Sequence, residues 1–210
     1  MKLLFLVFPK GSPLFVVTAP FEFLWAIIGV LLTIGGTFLE AFVTDPSWLW
    51  QRETVEVHSL GVTYQIGAVL LVGCLGGKNA AAMSQIAYLA LGLTVLPVFS
   101  EGGGIDYLKE PTFGYLLGFV PGGWICGFLA FKALPKLELL AFSCLCGLLT
   151  IHSVGLIYLT LSSLIHGVIT PGILLSEALE KYSLQPLPGQ LAVSCAVAVL
   201  SYILRGLMFY

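Results

Sequence analysis

The stretch VHSLGVTYQIGAVLLVGCLGGKNAAAMSQIAYLALGLTVLPVFS, residues 57–100, contains one charged side chain, Lys78. A helix rising ~1.5 Å per residue needs roughly 20 apolar residues to cross the ~30 Å hydrocarbon layer of a bilayer. The runs on either side of Lys78 each reach that length. Gly76-Gly77-Lys78 between them reads as a tight turn, and Pro97 closes the second run. The reading is two membrane spans, near 62–75 and 79–96, joined on one side of the membrane.

The same pattern recurs outward from this stretch. Runs without Asp, Glu, Lys or Arg occupy 23–39, 111–131, 139–176 and 182–204. Together they predict an all-α integral membrane protein with six transmembrane helices, near 21–42, 62–75, 79–96, 112–131, 139–164 and 188–204. The whole chain, 1–210, reads as a single membrane domain. The chain is 58% hydrophobic and 10% charged, whereas soluble domains carry about 25% charge, so a soluble fold is excluded. The runs lack the strict alternation of a membrane β-barrel. The opening MKLLFLVF imitates a signal peptide, but its apolar core ends at Pro9. Residues 1–20 are therefore expected to be retained as a cytoplasmic or interfacial segment.

Charge placement predicts orientation. Lys2, Lys10, Lys78, Lys132, Lys136 and Arg205 fall on one side of the predicted spans. The alternate loops hold most of the acidic residues. Basic residues accumulate on the cytoplasmic side, so both termini are expected there. Trp48 and Trp50, in the first external loop, suit an interfacial belt.

Small residues predict how the spans pack. Gly114, Gly118 and Gly122 recur every four residues, and Gly123 pairs with Gly127. This spacing lets helix backbones approach closely in lipid, most simply inside one compact subunit. Gly29, Thr33 and Gly36 share a face available to a neighbouring span or to a partner. The five cysteines all fall inside spans and read as small buried apolar residues.

Chemistry-bearing motifs are few. Lys78 follows Gly77, but Val72 and Asn79 occupy the remaining diagnostic positions of a phosphate-binding loop. No His-Glu-x-x-His metal helix is present. The sequence therefore implies no cofactor and no enzyme. Glu40, near the end of the first span, is the only candidate for a membrane-embedded relay group, which weakens an ion-coupled carrier reading. His152 lies mid-span, where a hydrogen bond to a neighbouring helix is its expected role.

Neutral polar side chains cluster toward the outer half of the spans. Thr63, Tyr64 and Gln65 open the second span, Ser100 follows the third, Thr112 and Tyr115 open the fourth, and Gln190 opens the sixth. Tyr158 lies in the outer half of the fifth. Three span starts at one depth can form a pocket for a small, partly apolar ligand. Residue by residue, helix capping or headgroup contact would also account for them.

The chain resembles the BioY family, the biotin-binding S components of energy-coupling-factor vitamin transporters. The resemblance rests on Tyr88-Leu-Ala-Leu-Gly-Leu-Thr-Val-Leu-Pro-Val-Phe99, the glycine run 102–104 and Glu110-Pro-Thr-Phe-Gly-Tyr-Leu-Leu-Gly-Phe119, in that order. Val62-Thr-Tyr-Gln65, Gly155-Leu-Ile-Tyr158 and Pro188-Gly-Gln190 extend it. Two positions depart from the family: its aspartate is Gln190 here, and the lysine three residues later is Val193. The Ala-x-x-x-Ala pattern of the first span appears only as Ala26-x-x-x-Val30.

The resemblance implies a substrate-binding subunit of the cytoplasmic membrane, capturing biotin from outside for ATP-driven import. It implies a transmembrane coupling subunit and ATPase subunits as partners. The ligand-binding residues it suggests are Gln65, Tyr88, Ser100, Thr112, Tyr115, Tyr158 and Gln190. Tyr158 and Gln190 would face the polar ring, Ser100 or the glycine-run amides would meet the carboxylate, and Gly102–Gly104 would hinge a lid. Another small vitamin, a biotin precursor, or a solitary carrier role are the alternatives.

Overall fold

The computed structural model describes residues 19–44, 57–166 and 175–208. The predicted N-terminal segment and the Trp48 and Trp50 belt lie outside the described residues. The elements run α1 (Ala19–Phe38), β1 (Glu40–Thr44), β2 (Val57–Thr63), α2 (Gln65–Thr94), a 3-10 turn (Ile105–Lys109) and α3 (Phe113–Ala130). They continue with α4 (Leu137–His166), α5 (Leu175–Leu179), a π-helical turn (Glu180–Leu184) and α6 (Leu187–Met208).

Among the described residues, five helical segments are long and apolar enough to cross a membrane: α1, α2, α3, α4 and the segment ending in α6. Six were expected. The predicted second and third spans lie within the single element α2, because no loop separates them. That element is not straight. Gly77 inside it has φ 83° and ψ 178°, a conformation open essentially to glycine alone. The Gln65 amide nitrogen lies 2.8 Å from the Tyr88 hydroxyl, 23 residues along. A straight helix would hold them about 35 Å apart. The chain therefore folds back at Gly77, and its two arms, 65–76 and 78–94, run side by side.

The N-terminal helix ends earlier than predicted. α1 stops at Phe38, and Glu40 opens a strand instead of lying in a span. Phe42, Val43 and Thr44 suit a pleated surface, and β1 pairs antiparallel with β2 across a bulge between Glu40 and Phe42. The Ser59 hydroxyl on β2 donates to the Glu40 carboxylate. This hairpin caps the end of the bundle where α2 begins, and Tyr64 N donates to Leu39 O at 3.0 Å.

The glycine-rich faces serve packing within the subunit. A side chain at Gly118 would begin 2.8 Å from the Ile151 carbonyl oxygen on α4, and one at Gly122 would begin 2.9 Å from that of Gly147. Gly123, on the opposite face of α3, meets Val69 and Ala81, one from each arm of α2. The Gly29–Thr33–Gly36 face of α1 is buried against α2. Gln85 Nε2 donates to Thr33 Oγ1 at 3.0 Å, and the backbone of Gln65 abuts Gly36. Ala26 of the partial Ala-x-x-x-Val pattern is also buried.

Charge separates along the bundle. Lys78 and Lys132 both sit over the Phe128 ring, at 5.5 and 4.6 Å. Arg205 stacks on Phe131 at 4.1 Å and donates to the Ala130 carbonyl at 2.8 Å. These basic groups mark one end. The hairpin, Ser100, Thr112 and Gln190 mark the other. Of the cysteines, Cys74, Cys126 and Cys144 are buried as expected, whereas Cys146 is only partly covered and Cys195 is exposed, because α6 presents it outward.

Candidate ligand-binding site

At the hairpin end lies a cavity of about 210 Å³. Its walls come from the start of α2, the segment between α2 and α3, the start of α3, and the turn leading into α6. Gln65, Ser100, Thr112, Tyr115 and Gln190 all line it. The structure thus brings five of the seven sequence-nominated residues to one place. Phe119, Leu116 and Ile66 give the cavity an apolar floor.

The other two nominated residues stand behind the wall. Tyr88 is fully buried. Its hydroxyl donates to the Val98 carbonyl at 3.1 Å and receives the Gln65 amide N–H at 2.8 Å. Tyr88 therefore positions Gln65, leaving the Gln65 carbonyl oxygen and one amide N–H for a ligand. Tyr158 donates to the Leu108 carbonyl and packs edge-on against Phe113, 5.9 Å between centroids. It fastens the segment between α2 and α3 and does not share a wall with Gln190, as the resemblance suggested.

Gln190 is held by a residue that was not nominated. His152 Nε2 lies 2.6 Å from Gln190 Oε1. With the carbonyl accepting, the imidazole donates and the Gln190 amide N–H₂ remains free to donate elsewhere. The expected bond from His152 to a neighbouring helix is present. Tyr115 meets the His152 ring edge-on at 5.6 Å, and its hydroxyl bonds to Ser183.

Three further lining residues escaped the sequence reading. Tyr107, in the 3-10 turn, bonds Thr112 Oγ1 at 3.1 Å and Ser100 Oγ at 3.4 Å, so its hydroxyl links two nominated groups. Lys181 and Tyr182 come from the π-helical turn, and Lys181 is exposed at the rim with its ammonium 5.2 Å from the Tyr182 ring. An aromatic residue inside a glycine-rich loop was the available signal for Tyr107.

The glycine run is more constrained than a free hinge. Phe99 and Gly102 exchange backbone hydrogen bonds at 2.9 and 3.1 Å, and Gly104 N donates to Gly92 O at 2.8 Å. Gly102 and Gly104 have φ of 119° and 92°, where side chains are disfavoured. A Cβ at Gly103 would lie 2.7 Å from the Gly92 carbonyl oxygen. These glycines pack a tight turn onto the end of α2. Beyond it, Lys109 donates to Asp106 at 2.8 Å and pulls that exposed carboxyl below its usual range.

Val193 lies outside the cavity. It is buried in the seam between α6 and α2, where a Cβ on Gly67 would stand 2.8 Å from Val193 Cγ1.

The BioY family profile matches residues 49–208. A probable biotin transporter BioY from Lysinibacillus sphaericus is 40% identical over 98 residues, 46% of this chain and 50% of that protein. The biotin transporter BioY of Thermotoga maritima is 37% identical over 93 residues, 44% of this chain and 53% of that protein. These alignments span about half the length of those relatives. An uncharacterised 21.2 kDa protein of Cyanophora paradoxa is 28% identical over 193 residues, 91% of this chain and 98% of that protein. Among solved structures, the S-component for biotin from an ECF-type ABC transporter superposes with a TM-score of 0.61 at 21% identity, covering 89% of each chain. The matched profile covers most of the sequence, and the chain belongs to the BioY family.

Proposed function

We propose that this multi-pass membrane protein is the substrate-binding subunit of a biotin uptake system. The observation that carries the proposal is the convergence of Gln65, Thr112 and Gln190 on one cavity of about 210 Å³ in a BioY chain. That volume lies below the ~300 Å³ at which drug-sized ligand pockets begin, and it suits a compact bicyclic vitamin.

The hydrogen-bond inventory fits a ureido ring, which has one carbonyl acceptor and two N–H donors. Gln190, its carbonyl occupied by His152, would donate to the ureido carbonyl. Gln65, oriented by its bond to Tyr88, would accept from a ureido N–H through its carbonyl oxygen. Phe119 and Leu116 would cover the apolar fused ring and chain. Lys181 at the rim is the cation available to the terminal carboxylate, a better partner than Ser100, which is engaged with Tyr107.

The two arms of α2 each act as a separate crossing in this reading, which restores six spans and places both termini on the basic, cytoplasmic side. The pocket then opens to the outside of the cytoplasmic membrane. The chain carries no phosphate-binding loop, so ATP-driven import would draw on a transmembrane coupling subunit and ATPase subunits as partners. The neutral Gln190 also suits a biotin precursor with the same carboxylate tail, which is the second reading.

A thermal-stability panel on the purified chain tests the assignment. Biotin should raise the melting temperature, while thiamin and riboflavin should not. A rise with another vitamin and none with biotin would overturn it. Co-purification with ATPase subunits from the native membrane tests the partner assignment.

A further inference from the structure

Away from the pocket, three thiols meet near the basic end of the bundle. Cys74 on α2, Cys126 on α3 and Cys144 on α4 are each fully buried. Cys74 Sγ lies 3.6 Å from Cys126 Sγ and 3.6 Å from Cys144 Sγ. All three sulfurs fall within 4.8 Å of one another. Glycine makes this approach possible: a Cβ on Gly73 would stand 3.2 Å from Cys126 Cβ, and one on Gly147 would stand 3.0 Å from the same atom.

The three thiols hydrogen-bond one another, and Cys126 Sγ also reaches the Leu70 carbonyl at 3.6 Å. The surroundings also differ from an ordinary apolar core. Ser201 on α6 is fully buried, and its hydroxyl adjoins Cys74. The buried Arg205 lies one turn further along α6 and donates to the Ala130 carbonyl, one turn beyond Cys126.

We infer that Cys74, Cys126 and Cys144 form an enclosed three-sulfur site for a soft monovalent cation with the chemistry of Cu(I). Thiolates select Cu(I) and zinc over harder ions. With metal–sulfur bonds of about 2.3 Å, three sulfurs around one ion stand roughly 3.7–4.0 Å apart. The observed spacing therefore accommodates the ion with small side-chain rotations and no helix movement. Structural zinc sites are four-coordinate, and the trio is joined by no fourth nitrogen, sulfur or carboxylate ligand among the described residues. Three-coordinate Cu(I) is the better match. Metal-ligating cysteines are thiolates, so binding Cu(I) to the trio releases three protons and leaves two negative charges on the site. The buried Arg205, bonded to the Ala130 carbonyl, supplies a counter-charge at that end. Entry is short, because Cys74 lies within one turn of Gly77 and Cys126 within about one turn of the end of α3, at the end where Lys78 and Lys132 sit.

The test is Cu(I) titration of the purified full chain under reducing conditions, with bicinchoninate as competing chelator. One Cu(I) per chain is expected, with X-ray absorption showing about three sulfurs near 2.3 Å. The Cys146→Ala/Cys195→Ala double variant, which leaves only the trio, should bind the same single ion with the same spectrum. Cys126→Ala should lose it. Should the core variant fail to fold, the double variant decides alone. Absence of stoichiometric binding, loss of binding in the double variant, or displacement of Cu(I) by equimolar zinc would each overturn the inference. Biotin binding is not part of this test, so its outcome is independent of the pocket assignment.

Discussion

His152 on α4 and Gln190 on α6 are joined by a 2.6 Å hydrogen bond at the wall of the cavity. The bond turns a freely rotating amide into a fixed donor. The imidazole occupies the carbonyl end, so the N–H₂ end is the part of Gln190 left for a ligand. An aspartate in this position would present acceptors only. The pair therefore sets the polarity of one side of the pocket from a distance, with His152 as a positioning residue.

Replacing His152 with Ala should leave the fold intact and weaken biotin binding by about tenfold, the equivalent of one hydrogen bond of roughly 1–1.5 kcal/mol. Glutamine at 152 can still donate and should recover part of the loss. Equilibrium binding, with circular dichroism as a folding control, checks both outcomes. Unchanged affinity in His152→Ala would show that Gln190 needs no tether.

Gly77 is the point where α2 reverses, at φ 83°. Gly77→Ala should destabilise the protein by about 1–3 kcal/mol, the usual cost of a non-glycine residue in this region. Gly118→Leu should be at least as damaging, since its Cβ would begin 2.8 Å from the Ile151 carbonyl and overpacking costs typically 1–3 kcal/mol. Gly35→Ala meets nothing within 4 Å and serves as the neutral control. Thermal unfolding in detergent ranks the three, and an equal melting temperature for Gly35→Ala and Gly77→Ala would contradict this account.

Much of this fold was legible because hydropathy and glycine spacing act locally. The run 57–100 with its Gly-Gly-Lys break foretold the reversal in α2, and the four-residue glycine spacing foretold close helix packing, which the structure shows against α4. The strand at Glu40 was not legible: an apolar stretch after Phe38 reads equally as more helix until its partner, β2, is known. At the site, Gln65, Ser100, Thr112, Tyr115 and Gln190 were visible as polar residues at span ends. His152, Tyr107 and Lys181 were not, because their roles depend on contacts between elements distant in sequence. Tyr158 is not among the residues lining the cavity, and its hydroxyl bonds the Leu108 carbonyl.

The two departures from the family behave differently. Gln190→Asp removes the amide donor and places a carboxylate opposite the ureido carbonyl, and it also gives His152 a charged partner. Val193→Lys puts an amine into the apolar seam against Gly67, where an unpaired buried charge is costly. The double substitution should therefore unfold or lose binding, chiefly through Val193→Lys. Stability and affinity measured for each single variant separate the contributions. A stable Val193→Lys with tighter biotin binding would show that this position reaches the ligand.

Lys181 at the rim should discriminate by ligand charge. Lys181→Gln should weaken binding of biotin several-fold and leave binding of its methyl ester unchanged. The wild-type preference for the free acid should shrink as salt rises, because exposed charges are screened. An equal loss for acid and ester would assign Lys181 to the shape of the entrance and not to the carboxylate.

The most direct test is equilibrium binding of labelled biotin to the purified chain, with Gln190→Ala measured beside it. The account predicts saturable binding at one site per chain, weakened at least tenfold by the substitution while the helical spectrum is unchanged. Saturable binding indifferent to Gln190→Ala, or no binding by a folded chain, would contradict the assignment of this cavity as a biotin site.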